Sequence, residues 1–169
     1  MVVTLHRPAT VDDPARLRGA LSAIETWRSS SGGTVVFPVH PRTQARMDEH
    51  GISIPEGITQ CGPLGYIDMQ AALHHADLVL TDSGGLQKEA WFQGTPSVVL
   101  RDTTDWRELV EVGASLLFDP ARLLDVHGAK ALADLLSEER QVVSVENSGL
   151  FGGGVAAGRV VDGLMRFLG

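Results

Sequence analysis

Cys61 is the only cysteine in a chain of 169 residues. An internal disulfide and a multi-cysteine metal site are therefore excluded, and a reducing, cytoplasmic setting suits such a chain. Neither an HExxH motif nor paired cysteines occurs, so no metal is expected. Basic residues are scarce: 14 Lys and Arg stand against 21 Asp and Glu, and they form no cluster. A nucleic-acid surface is excluded on that ground, because neutralising a polymer's phosphates takes a run of basic side chains. No apolar stretch approaches the roughly 20 residues that span a bilayer. The opening Met1-Val2-Val3-Thr4-Leu5-His6 has no basic region ahead of a long apolar one, so neither membrane insertion nor export is expected. Internal repeats and low-complexity segments are also missing.

What is present describes one soluble domain, 1–169, long enough to bury a core unaided. Its 19 glycines point to tight turns or to close approach of backbone to a ligand. Short apolar, β-branched runs at Met1 to Leu5, Thr34 to Val39, Gly57 to Gln60, Leu78 to Thr81, Ser97 to Leu100 and Ser115 to Phe118 read as strands. Segments with helical spacing lie between them. Leu17, Leu21, Ile24 and Trp27 or Arg28 form a stripe behind the cap and first-turn proline of Asp13-Pro14. Further helices are expected from Arg42 to His50, Tyr66 to His75, Ser83 to Gln93, Trp106 to Val112 and Pro120 to Ser137, the last of these behind Asp119 as its cap. A final helix, from about Gly154 to Phe167, should carry Ala157, Val160, Val161, Leu164 and Leu168 along one side, the side that would pack. Strands alternating with helices and apolar on both faces predict an α/β, Rossmann-like three-layer domain with a parallel sheet. Ligands of such sheets sit beyond the carboxyl ends of the strands, which directs attention to the loops after Leu5, Val39, Gln60, Thr81 and Leu100.

In Thr81-Asp82-Ser83-Gly84-Gly85-Leu86-Gln87-Lys88-Glu89 a strand gives way to a helix on a Ser-Gly-Gly turn. A helix start of this kind aims free amides and partial positive charge outward, and Ser83 adds a hydroxyl. It reads either as an anion cradle or as a tight turn capped by Ser83, and Asp82 reads as a further cap for that turn. Glu89, one turn on, could accept from two ribose hydroxyls or stand solvated at the surface. His6-Arg7-Pro8 and His40-Pro41-Arg42 each follow a strand and place an imidazole and a guanidinium at the ligand edge. The loop Arg101 to Glu108 suits turn-making and ligand contact equally. Phe151-Gly152-Gly153-Gly154 reads either as a second phosphate cradle or, more simply, as a flexible entry to the last helix.

These motifs, in this order and spacing, resemble the C-terminal half of the non-hydrolysing UDP-N-acetylglucosamine 2-epimerases. The similarity runs from Val3-Thr4-Leu5-His6-Arg7-Pro8 through Pro38-Val39-His40-Pro41, Gly62-Pro63-Leu64-Gly65-Tyr66 and the Ser-Gly-Gly segment to Gly94-Thr95-Pro96 and Leu100-Arg101-Asp102-Thr103-Thr104-Asp105-Trp106. It fades at Phe151 to Ala157. Two departures stand out: Ala9-Thr10 where the family has Glu-Asn or Ser-Asn, and Gly152-Gly153-Gly154 where it has Gly-Asp-Gly.

The resemblance implies one half of a two-domain glycosyltransferase-B fold and a binding site for UDP or UDP-GlcNAc. It implies Ser83, Gly84 and Gly85 on the diphosphate, Glu89 on the ribose, Pro63 to Tyr66 on the uracil side, and Arg7 on phosphate or sugar. His6 takes the place of the family's catalytic histidine, and His40 that of a histidine near a second, regulatory UDP-GlcNAc site. The reaction implied is inversion at C2 through UDP elimination and re-addition, in the service of cell-surface polysaccharide synthesis and without a cofactor. The family's proton-moving carboxylates lie in an N-terminal domain that this chain lacks, so no turnover by the chain alone is expected, and self-association through an uncovered apolar flank is. Two other readings stay open: the donor-nucleotide domain of a glycosyltransferase, and a non-catalytic module that senses UDP-GlcNAc.

Overall fold

The computed structural model of the chain describes residues 1–139 and 149–168. Six strands form one parallel sheet: β1 (Val2–Thr4), β2 (Val35–Pro38), β3 (Ile58–Cys61), β4 (Val79–Thr81), β5 (Ser97–Val99) and β6 (Ser115–Leu117). Their order is β3-β2-β1-β4-β5-β6, with Val2 opposite both Val36 and Val79, and Thr4 opposite Thr81. The sequence order reverses between β1 and β4, which opens a crevice at their carboxyl ends. This is the α/β, Rossmann-like arrangement expected.

Side chains alternate across the sheet because the strand repeat is two residues. Val3, Leu5, Phe37, Leu80 and Val98 point into one layer with Leu17, Leu21 and Ile24 of α2 (Pro14–Ser31), Met47 of α3 (Pro41–His50) and Leu132 and Leu136 of α7 (Val126–Leu136). Val2 and Val79 face the opposite layer, with Leu73 of α4 (Tyr66–His74) and Leu86 and Ala90 of α5 (Gly84–Phe92). Trp91 extends that layer to Leu109 of α6 (Arg107–Glu111) and to Ala114. Truncating a fully buried leucine such as Leu80 would cost about 2–5 kcal/mol.

Local sequence sets most helix ends. Asp13 accepts from the amides of Ala15 and Arg16 to start α2, and Gly32 ends it at φ 67°. Pro8–Val11 forms a one-turn helix, α1, that the apolar spacing did not reveal. Asp12, just beyond it, bonds to Arg42 and Arg46 of α3. The Arg42 hydrogen bond, more than the charges, holds its carboxyl below the usual Asp range.

The single helix expected over Pro120 to Ser137 is in fact two. A 3-10 turn, Pro120–Leu124, gives way to α7, and Asp125 in extended geometry caps the second piece by accepting from the amide of Gly128. The break brings the Arg122 carbonyl onto Gly128, where a Cβ would lie 1.5 Å from the oxygen. Only glycine permits that approach.

The final helix exists, as Ala156–Leu168, but the packing expected for it does not. Val160, Val161, Leu164, Met165, Phe167 and Leu168 are all exposed, and among the described residues no element covers them. The preceding turn, Leu150–Gly154, is anchored instead by Phe151. This residue adopts φ 54°, rare for a side chain with a Cβ. Its ring lies 5.4 Å from that of Trp91 and 5.8 Å from that of Trp106, and the Lys88 ammonium sits 4.1 Å above it.

Candidate functional site

The crevice between β1 and β4 gathers most of the residues singled out from the sequence. A cavity of about 190 Å³ is walled there by His6, His40, Pro63, Leu64, Ser83 and Leu86, among others. A larger hollow of about 830 Å³ lies by the amino ends of β4 and β5, near Trp27, Asp77, Pro96 and Leu136. It is open, and none of the candidate residues reaches it.

Buried threonines fix the floor of the crevice. The hydroxyls of Thr4 and Thr81 share a hydrogen bond of 2.6 Å across the β1–β4 seam, and Thr81 Oγ1 also accepts from the amide of Ser83 at 3.0 Å. The Thr43 hydroxyl donates to the Leu5 carbonyl, tying α3 to the end of β1. The backbone that presents the site is thereby held before any ligand arrives, which lowers the ordering cost of binding.

Ser83 caps α5 by accepting from the amide of Leu86 at 3.5 Å. A hydroxyl used as an acceptor keeps its proton to donate outward. Among the described residues the amides of Gly84 and Gly85 have no acceptor, as the first turn of a helix dictates. A Cβ placed on Gly84 would sit 3.7 Å from Arg101 Nη1, 3.8 Å from Arg7 Nη2 and 3.8 Å from Asp105 Oδ2, the carboxylate that pairs with Arg101. Two guanidinium groups thus converge above the open start of a helix, a geometry made for a doubly charged anion. From the sequence Arg101 stood out only as the start of a polar loop; the crossing from β5 brings it here. Its nearest carboxylate is that of Asp105, 3.4 Å from Nη1.

Glu89 projects back beside Gly85, its Oε1 3.7 Å from where a Cβ would stand, and it accepts from Gln70 Nε2 at 2.8 Å. The carboxylate therefore lies within a turn of the open helix start. Pro63 joins the cavity wall, whereas Tyr66, first in α4, is 69% exposed and stands outside that wall.

The two strand-end histidines do meet. Their ring centroids lie 5.4 Å apart. His40 Nδ1 accepts from the amide of Arg42 at 3.1 Å, so this imidazole caps α3. His6 Nδ1 lies 3.2 Å from Asp82 Oδ1.

Asp82 is not the cap of its own turn that the sequence suggested; Ser83 holds that place. Its side chain instead crosses to the loop after β1 and accepts from the amides of His6, at 3.0 Å, and Arg7, at 2.8 Å. The carboxyl is fully buried, and burial raises it above the usual Asp value; the amides of Arg7 and His6 and the nearby His6 charge pull the other way.

A buried polar chain supports the cradle from behind. Gln87 donates to the Ser83 carbonyl at 3.0 Å and accepts from the Thr104 hydroxyl at 2.7 Å, and Trp106 Nε1 donates to the Gly84 carbonyl at 2.8 Å. The 101–106 loop is therefore bonded to the start of α5. Among the described residues no group of three His, Cys, Asp or Glu is placed to hold a metal ion.

Comparison with known proteins gives consistent matches. The family model described as UDP-N-acetylglucosamine 2-epimerase matches residues 1–165. The UDP-2,3-diacetamido-2,3-dideoxy-D-glucuronate 2-epimerase of Pseudomonas aeruginosa is 37% identical over 167 residues, covering 98% of this chain and 44% of that protein. Among solved structures, the UDP-GlcNAc 2-epimerase of Methanocaldococcus jannaschii superposes with a TM-score of 0.79 at 30% identity, covering 98% of this chain and 45% of that one. The same enzyme in complex with UDP-GlcNAc and UDP superposes with a TM-score of 0.75 at 28% identity, covering 95% of this chain and 44% of that one. The chain thus spans a little under half the length of these relatives.

Proposed function

Since the chain belongs to the UDP-N-acetylglucosamine 2-epimerase family, we propose that it is the nucleotide-binding half of a UDP-sugar 2-epimerase. The observation that carries this reading is the pair of acceptor-free amides at Gly84 and Gly85 beneath Arg7 and Arg101. In this reading the diphosphate lies on those amides and the Ser83 hydroxyl, with both guanidinium groups neutralising it. Glu89 exchanges its Gln70 contact for the two ribose hydroxyls, and the Pro63 to Tyr66 loop flanks the uracil. His40 belongs to a second, regulatory nucleotide-sugar site beside the first.

The chemistry proposed is elimination followed by re-addition. A base takes the proton from C2 of the sugar, the C1–O bond to the β-phosphate breaks, and the electron pair leaves with UDP to give a 2-acetamidoglucal. UDP then adds back at C1, and a proton returns to C2 on the opposite face. The cradle's part is to stabilise the charge that builds on the departing phosphate oxygen, and His6 stands beside it. The C2 base belongs to a preceding domain, so the chain by itself does not turn over, because base and nucleotide must face each other across a cleft. A cytoplasmic location, a role in cell-surface polysaccharide synthesis and self-association of the chain belong to the same reading.

The sugar itself has two candidates. UDP-GlcNAc is the family's substrate by name, and a UDP-2,3-diacetamido-uronate is named for the relative that is 37% identical over 167 residues. Titration calorimetry with UDP, ADP, phosphate, UDP-GlcNAc and the diacetamido-uronate separates these possibilities. Preference for UDP over ADP in the wild-type chain, with nucleotide binding lost in the Ser83→Ala, Glu89→Ala double variant, is the expected result. Equal or absent binding of every ligand overturns the reading, and conversion of UDP-GlcNAc to UDP-ManNAc by the isolated chain overturns its dependence on a second domain.

A further inference from the structure

Among the described residues Asp82 is the one fully buried carboxylate, and its contacts lead to the candidate site. Burying such a group is costly unless its oxygens are bonded. Here the bonded donors are backbone amides of the His6-Arg7 segment, that of His6 spanning both oxygens and that of Arg7 reaching Oδ2, while the His6 ring brings Nδ1 to within 3.2 Å of Oδ1. A cap for its own helix would explain none of these contacts.

We propose that Asp82 is a positioning residue for His6, fixing the imidazole with its proton on Nδ1 and leaving Nε2 as the atom that meets the ligand; this rests on the reading of His6 as a member of the nucleotide site. A carboxylate accepts but does not donate, so the ring nitrogen facing it carries the hydrogen. The two backbone bonds hold the loop so that the ring cannot swing away, and Thr4 and Thr81 lock the strands from which both residues spring. His40 provides the contrast. Its Nδ1 accepts from the Arg42 amide, so in the neutral ring the proton sits on Nε2. Two imidazoles 5.4 Å apart thus offer the cavity opposite functions, an acceptor at His6 Nε2 and a donor at His40 Nε2. A ring free to exchange tautomers would present the wrong atom to a ligand part of the time.

The test is nitrogen NMR of the full chain with labelled histidine, read at a pH where the rings are neutral and assigned through His6→Gln and His40→Gln. Wild type is expected to show the Nδ1–H form at His6 and the Nε2–H form at His40. In Asp82→Ala the His6 preference is lost while that of His40 persists. An Nε2–H ring at His6 in wild type, or an unchanged His6 ring in Asp82→Ala, overturns the proposal. If Asp82→Ala does not fold, as circular dichroism would reveal, the wild-type spectrum alone decides. Titration of UDP into the same sample keeps the two readings apart. Failure to bind UDP with the Nδ1–H form present removes the nucleotide assignment and leaves the role of Asp82 standing.

Discussion

Thr104 donates its hydroxyl hydrogen to Gln87 Oε1 at 2.7 Å, and both residues are buried. Through this bond the loop after β5 is fastened to α5, whose open start carries Ser83 and Gly84. Gln87→Leu keeps the side chain's bulk but strands the hydrogen of the Thr104 hydroxyl and takes one of its donors from the Ser83 carbonyl. A loss of about 1–3 kcal/mol in urea unfolding is expected from the unpaired groups. UDP affinity should fall with it, although the introduced leucine would touch no ligand. Unchanged stability would mean that water replaces the bond.

Arg101 and Arg7 approach the same space over Gly84 from different strands. A charge-assisted contact contributes about 1.5–3 kcal/mol, so Arg101→Ala and Arg7→Ala should each weaken UDP binding by roughly 10- to 150-fold. Arg101→Lys should restore only part, because an ammonium cannot grip two phosphate oxygens side by side. Calorimetry showing native affinity in Arg101→Ala would remove that residue from the cradle.

Asp82 makes an unusual contribution to acid stability. Burial raises its folded-state value above that of the unfolded chain, so on acidification the folded protein takes up this proton first. Its contribution is fully present below the unfolded value and is lost as pH rises through the folded one. The difference between wild type and Asp82→Asn in urea unfolding, followed from about pH 7 to pH 4, should therefore move in favour of wild type as the pH falls. Movement in the other direction would show that the amide bonds outweigh burial.

Gly128 carries the contact between the 3-10 turn and α7, its place for a Cβ 1.5 Å from the Arg122 carbonyl oxygen. Gly128→Ala must push the two segments apart and disturb the α2–α7 layer, with a loss of more than about 2 kcal/mol. Thermal unfolding measures it. A melting temperature like that of wild type would place the turn elsewhere.

Lys88 is clasped by Trp106 and Phe151, at 4.2 Å and 4.1 Å from their ring centroids. Lys88→Ala should cost about 0.5–1 kcal/mol and loosen the turn that follows Gly149. Limited proteolysis with mass mapping is expected to show faster cleavage around Phe151, and equal cleavage rates would argue that ring packing alone holds it.

The elements that the sequence made legible are those with local causes. The apolar stripe of α2, the Asp13 cap and the Ser-Gly-Gly turn depend on neighbours within a few residues, and they stand where the spacing placed them. The split at Asp125 was harder to see, since Asp119 and Asp125 both suit a cap and only packing of Gly128 against Arg122 decides between one helix and two. The last helix shows the opposite limit: its apolar period produced a helix, but periodicity says nothing about what lies against it.

His6 and His40 were visible as strand-end residues because alternating strands and helices already imply a ligand edge. The partnership of His6 with Asp82 was not. These residues are separated by 76 positions and become neighbours only because β4 pairs with β1 rather than with β3. Arg101 joins Arg7 by the same route. The order of residues along the chain thus determined an α/β domain with an open Ser-Gly-Gly helix start, since hydrophobic period and helix capping are short-range. Which side chains share that turn was decided by strand order alone, because pairing between distant strands follows from burial of the whole sheet and leaves no local mark.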